Sequence, residues 1–227
     1  MSNAVAHADA HGHAVHHPRL QHHFDTMQQQ KEASTLGMWL FLLTEVLFFG
    51  GLFLAYLLYR MWYFDAFAEA SRDLDIQLGG FNTVVLILSS LTMALGVRAA
   101  QTNERKNTVF WLILTIVLGC VFLGVKYVEY SHKFEVGHVP GPNFHSDSVW
   151  AAQQQIFFSL YFTMTGLHAL HMIVGVALMS VITWMAYKGK FDSSYYTPVE
   201  MAGLYWHFVD LVWIYLFPLL YLVERHN

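Results

Sequence analysis

Five stretches of this chain are each long and apolar enough to cross a lipid bilayer, and they limit its possible folds more than any other feature. Crossing about 30 Å of hydrocarbon takes roughly 20 helical residues. The stretches run 37–59, 81–100, 109–130, 156–187 and 201–223. Hydrocarbon offers no partner to an open backbone N–H or C=O, so each stretch is predicted to be an α-helix. The expected fold is an all-α membrane protein: a bundle of five transmembrane helices (37–227) behind a polar, histidine-rich tail (1–36). Charged residues make up only 12% of the chain and hydrophobic ones 56%, which a soluble fold could hardly bury.

Several function classes drop out at once. The formal net charge of -4, with no basic run, argues against a nucleic-acid partner. Cys120 is the only cysteine, which excludes an internal disulfide, a cysteine zinc cage and an iron–sulfur site. Residues 1–36 hold no apolar core of the signal-peptide kind, so the first apolar stretch reads as an uncleaved anchor. The tail, the second loop and the fourth loop carry Arg19, Lys31, Arg98, Arg105, Lys106, Lys188 and Lys190. The opposite side carries Arg60, Arg72, Lys126, Lys133 and Arg225. Positive residues favour the inner side, so the amino terminus is expected inside and the carboxyl terminus outside. Trp39, Trp62, Trp150, Trp184, Tyr187 and Tyr221 fall near the segment ends, as interface belts require. Residues 60–80 read as an amphipathic piece at the interface, and 132–150 as an ordered loop rich in Gly and Pro.

Charged and polar groups within the apolar stretches are the candidate functional residues, because an ionised group at the bilayer centre costs roughly 2.5–3.5 kcal/mol. Glu45 lies eight residues beyond Gly37 and Asp210 nine beyond Met201, or about 12 and 13 Å along their helices. Neither has a Lys or Arg one turn away, so each is expected to be protonated, or bonded to water or to another helix. A polar clasp with His207 or Trp206 as donor and a proton-handling role both fit. The neighbours of Glu45 are apolar, which tips it towards function. His168 and His171 share a three-residue spacing, as do His207 and Asp210. Such pairs can form a metal site or bond helices together beside Gly166 and Gly175; packing is the expectation for these four, and no metal is expected among them. In the tail, His7, His11, His13, His16 and His17 form a tract able to hold copper or zinc loosely.

The run Gly37-Met38-Trp39-Leu40-Phe41-Leu42-Leu43-Thr44-Glu45-Val46-Leu47-Phe48-Phe49 closely resembles the helix of cytochrome c oxidase subunit III that carries its membrane-buried glutamate. Phe81-Asn82-Thr83 looks like the start of that family's next helix, and Lys126-Tyr127-Val128-Glu129-Tyr130 like its Glu-Tyr helix end. Thr165-Gly166-Leu167-His168-Ala169-Leu170-His171, with Gly175, matches its T-G-x-H-x-L-H-x-x-x-G signature. Glu200 with Tyr205-Trp206-His207-Phe208-Val209-Asp210-Leu211-Val212-Trp213 matches its carboxyl-terminal one. The likeness runs in order from about residue 37 to 217. The chain lacks the first two helices of the family's seven-helix form and is similar to the short bacterial form. Lys126 stands where some relatives carry an uncharged residue.

The resemblance implies a non-catalytic helper in the bacterial cytoplasmic (inner) membrane, within an aerobic respiratory complex. Haem and copper would sit in the partner subunits. Subunit I would be the main partner, with subunits II and IV nearby and phospholipid bound. Glu45 would lie near subunit I, while His168, His171, His207, Asp210, Glu200 and Glu129 would fix packing and hydration. The competing expectations are subunit III of a quinol oxidase, the related nitric oxide reductase accessory protein, an independent proton channel or transporter, and a metal-binding membrane enzyme.

Overall fold

The computed structural model describes residues 19–142, 144–146 and 148–223. They form α1 (Met27–Trp62), α2 (Phe64–Arg72), α3 (Ile76–Gln101), α4 (Arg105–Val136), α5 (Ala151–Tyr187) and α6 (Thr197–Tyr221). All but α2 are long and apolar enough to span a membrane. The described residues contain no strand, only an isolated bridge between Asp192 and Tyr195.

The helices outrun the apolar stretches. α1 starts at Met27, ten residues before Gly37, because the Thr26 hydroxyl caps it by accepting from the Gln29 N–H. Good helix formers then carry the turns through Gln28, Gln29, Gln30, Lys31 and Glu32. Residues 27–36 are thus helix within the stretch expected to be tail. α4 likewise continues to Val136, and Gly137 ends it in the left-handed region at φ 80°, so the loop expected from 132 begins at 137. Asp75 caps α3 by accepting from the N–H groups of Gln77 and Leu78. The 60–80 stretch therefore divides. Its first half is α2, which turns Ala66, Phe67 and Ala70 inward and leaves Asp65, Glu69 and Arg72 exposed. Ser71 donates to the Val223 carbonyl (3.4 Å) and Lys133 to the Asp73 carbonyl (2.5 Å), tying α2 to the bundle.

α3, α4, α5 and α6 close into a ring in which each packs on two neighbours. α1 lies outside it, against α5 and α6. Its buried residues, Leu42, Phe49 and Tyr56, recur every seventh position as one narrow seam. Much of the rest of its surface, including Leu43, Leu47 and Leu54, is exposed.

Trp206 fills the centre of the ring. Its indole N–H donates to the Ser89 hydroxyl on α3 (3.1 Å). Its ring fits against two glycines, where an added Cβ would lie 2.7 Å (Gly119 on α4) and 3.1 Å (Gly175 on α5) from indole carbons. Gly119→Ala should therefore lower stability by about 1–3 kcal/mol through overpacking. Gly124→Ala, five residues along the same helix with nothing within 4 Å, should not. Thermal unfolding of the two variants in detergent checks this contrast.

Candidate functional site

Glu45 is set between Leu42 and Phe49 in the α1 seam, which turns its side chain towards α5. There Oε2 lies 3.1 Å from Nε2 of His171, and the two side chains are 18% and 17% exposed. The partner that the Glu45 neighbours lack thus comes from another helix. Nδ1 of His171 is 2.8 Å from the Leu167 carbonyl, an atom that can only accept, so Nδ1 carries a proton. A hydrogen bond between Nε2 and the carboxyl then requires one further proton on one of the two. Either a carboxylic acid donates to imidazole or an imidazolium donates to carboxylate. The Tyr205 hydroxyl donates to the His171 carbonyl (3.0 Å) and the Phe49 ring packs edge-on to the imidazole, so the pair is held from α6 and α1.

The other candidates go elsewhere. His168, one turn from His171, points into the ring, 1% exposed, with Phe122 and Trp213 each 5.3 Å from its ring. His207 Nδ1 pairs with the Ser90 hydroxyl at 2.7 Å. Asp210 is 2% exposed and sits beside Ser89 and Ser90, with neither carboxyl oxygen in a hydrogen bond of ordinary geometry among the described residues. His207 and Asp210 thus meet the same stretch of α3 at Ser90, whereas His168 and His171 face apart. Among the described residues, no three His, Cys, Asp or Glu side chains gather to hold a metal. The tail residues His7, His11, His13, His16 and His17 lie outside the described residues.

Glu200 lies in the first turn of α6, at the end of its helix. It pairs there with Lys31 (3.4 Å), which also donates to the Tyr196 hydroxyl (3.1 Å). Arg19 pairs with Asp192 (2.5 Å) in the same clasp. Hydrogen bonds from Ser194, aided by Arg19, hold the Asp192 carboxyl below its usual value. α1 is thus anchored near its amino-terminal end as well as along its seam.

Lys126, to which no role could be given from its sequence position, lies in a closely bonded buried cluster. Its ammonium donates to Glu129 Oε2 (2.9 Å), the Tyr221 hydroxyl (3.0 Å) and the Tyr161 hydroxyl (3.2 Å). Both tyrosines donate in turn to Glu129 Oε1, at 2.8 and 2.5 Å. Lys126 and Glu129 are three residues apart on α4, a spacing that does signal a pair; the tyrosines, from α5 and α6, leave no local trace. Removing one partner of a buried pair strands the other charge. Lys126→Met should cost about 3–5 kcal/mol, and Lys126→Met with Glu129→Gln should recover part of that, as read by thermal unfolding.

The family model described as "Cytochrome c oxidase subunit III" matches residues 18–224. Cytochrome c oxidase subunit 3 of Thermostichus vulcanus is 32% identical, over 88% of this chain and 92% of its own. That of Synechocystis sp. is 33% identical, over 98% and 84%. Cytochrome bo(3) ubiquinol oxidase subunit 3 of Pseudomonas aeruginosa is 27% identical, over 98% and 99%.

Proposed function

The chain belongs to the cytochrome c oxidase subunit III family and is a subunit III of a haem-copper oxidase; from that premise we propose that it is a non-catalytic partner supporting assembly, proton uptake and the stability of the oxygen-reducing site. In this proposal it packs mainly against subunit I, with subunits II and IV nearby. Those partners hold the haem and copper, and phospholipid fills the surface between them. It lies in the bacterial cytoplasmic membrane with its amino terminus inside and its carboxyl terminus outside, as the excess of Lys and Arg on the tail side favours.

The observation that carries the functional part is the Glu45–His171 pair. It sits at the edge of the bundle, beneath the exposed apolar flank of α1 that Leu43, Leu47 and Leu54 present. A lone carboxylate there would be costly. A pair sharing one proton is not, because the proton can move between the two groups without changing their total charge. Such a pair suits a subunit that conditions a neighbour's proton or oxygen path.

A second proposal has specific support. The Pseudomonas relative is named as a ubiquinol oxidase subunit, so the complex could take electrons from quinol instead of cytochrome c. The donor site would lie in other subunits, and the same holds for a nitric oxide reductase accessory protein. An independent proton channel is disfavoured, because its two carboxyls face apart: Glu45 towards α5, Asp210 towards α3.

Glu45→Gln keeps a group able to donate to Nε2 but removes the shared proton. The variant complex should assemble with full haem content, and should turn over severalfold more slowly or inactivate severalfold faster during turnover. Wild-type turnover together with wild-type inactivation kinetics would refute the role given to Glu45.

A further inference from the structure

Just ahead of α1, residues 21–24 make a tight turn, closed by the Phe24 N–H donating to the Gln21 carbonyl (3.0 Å). The turn is tied down at both ends. The Gln21 N–H donates to the Gln30 side chain (2.9 Å) and the Asp25 N–H to the Gln29 side chain (2.8 Å), both in the first turn of α1. Its two central residues are His22 and His23, and both are exposed.

The turn brings the two imidazoles together. Nε2 of His22 and Nδ1 of His23 lie 3.2 Å apart, with ring centroids 4.3 Å apart and planes at 75°. Phe24 packs edge-on to His23 (centroids 5.1 Å) and steadies that ring. A hydrogen bond between two neutral imidazoles accounts poorly for the contact, because at an exposed site water satisfies each nitrogen about as well. A metal ion fits better. Two Zn–N bonds of about 2.0–2.1 Å at a tetrahedral angle put their nitrogens about 3.3 Å apart. The backbone therefore already holds two imidazole nitrogens at the span of one chelated ion. A small rotation of the exposed rings aims both lone pairs at it.

We propose that His22 and His23 bind one divalent transition-metal ion, Zn2+ or Cu2+, through Nε2 of the first and Nδ1 of the second. Water fills the remaining positions. Imidazole is an ordinary ligand of both ions. The nearest cations do little to oppose it, because Arg19 is paired with Asp192 and Lys31 with Glu200. The site differs in kind from the tract of His7, His11, His13, His16 and His17. Its two ligands are adjacent in sequence and fixed by a turn, so little chain entropy is lost when the ion binds.

Calorimetric titration of the purified oxidase complex with Zn2+, and X-ray absorption at the zinc edge with one equivalent bound, test the site. The wild-type complex should bind one Zn2+ ahead of all others, with two imidazoles around it. His22→Gln/His23→Gln should weaken that binding about a hundredfold, at least the loss that follows removal of a partner outside the metal's own shell. Both histidines are exposed, so the thermal midpoint and haem spectrum of this variant should match wild type. Replacing His7, His11, His13, His16 and His17 with Gln should leave the tight site in place. Unchanged tight binding in the His22/His23 variant, its loss in the tail variant, or a zinc shell with fewer than two imidazoles would each overturn the proposal.

Discussion

Trp206 is the side chain on which the bundle closes. It projects from α6 across the ring, lies against Gly119 on α4 and Gly175 on α5, and donates to Ser89 on α3. In lipid there is little hydrophobic gain from bringing apolar helices together, so close packing and interhelical hydrogen bonds must hold them. One indole between two glycines supplies both. The Lys126–Glu129–Tyr161–Tyr221 cluster does the same nearer the far end of α6, with a charged pair whose oxygens and ammonium are met by hydroxyls from two further helices. Between them, these two contacts tie all four helices of the ring.

α1 stands in a different relation to the rest. Its seam of Leu42, Phe49 and Tyr56 is narrow, and its firmest attachments are polar. Lys31 meets Glu200 and Tyr196 at one end, the Tyr56 hydroxyl donates to the Leu219 carbonyl towards the other, and Glu45 meets His171 between them. A helix held by a few polar clasps, with most of its apolar surface exposed, suits a subunit whose outer face is covered by a larger neighbour. In the proposed complex, the Glu45–His171 pair would then be sheltered by that neighbour and able to affect it.

The membrane spans were legible in the sequence, because lipid forces every apolar stretch of that length into a helix. Their ends were not. Thr26 and Asp75 set starts through hydrogen bonds made by their own side chains, and good helix formers carried α1 and α4 beyond the apolar residues. The depth of Glu45 could be counted, but its partner lies 126 positions along the chain on α5 and could not. His168 and His171 looked like one pair on a helix face. Their one-turn offset was enough to send one into the ring and the other to α1. Lys126 and Glu129 did advertise each other by spacing, while the tyrosines that make the pair tolerable came from α5 and α6 and were invisible to local pattern.

In the proposed function this chain works by supporting a redox partner. Isolating the complex through an affinity tag on this chain, identifying the co-purifying proteins and recording the haem spectrum and metal content tests that role. A haem-copper catalytic subunit should come with it, and all haem and copper should remain with the partners when this chain is stripped away. Recovery of the chain alone, active and holding its own iron or copper, would contradict it.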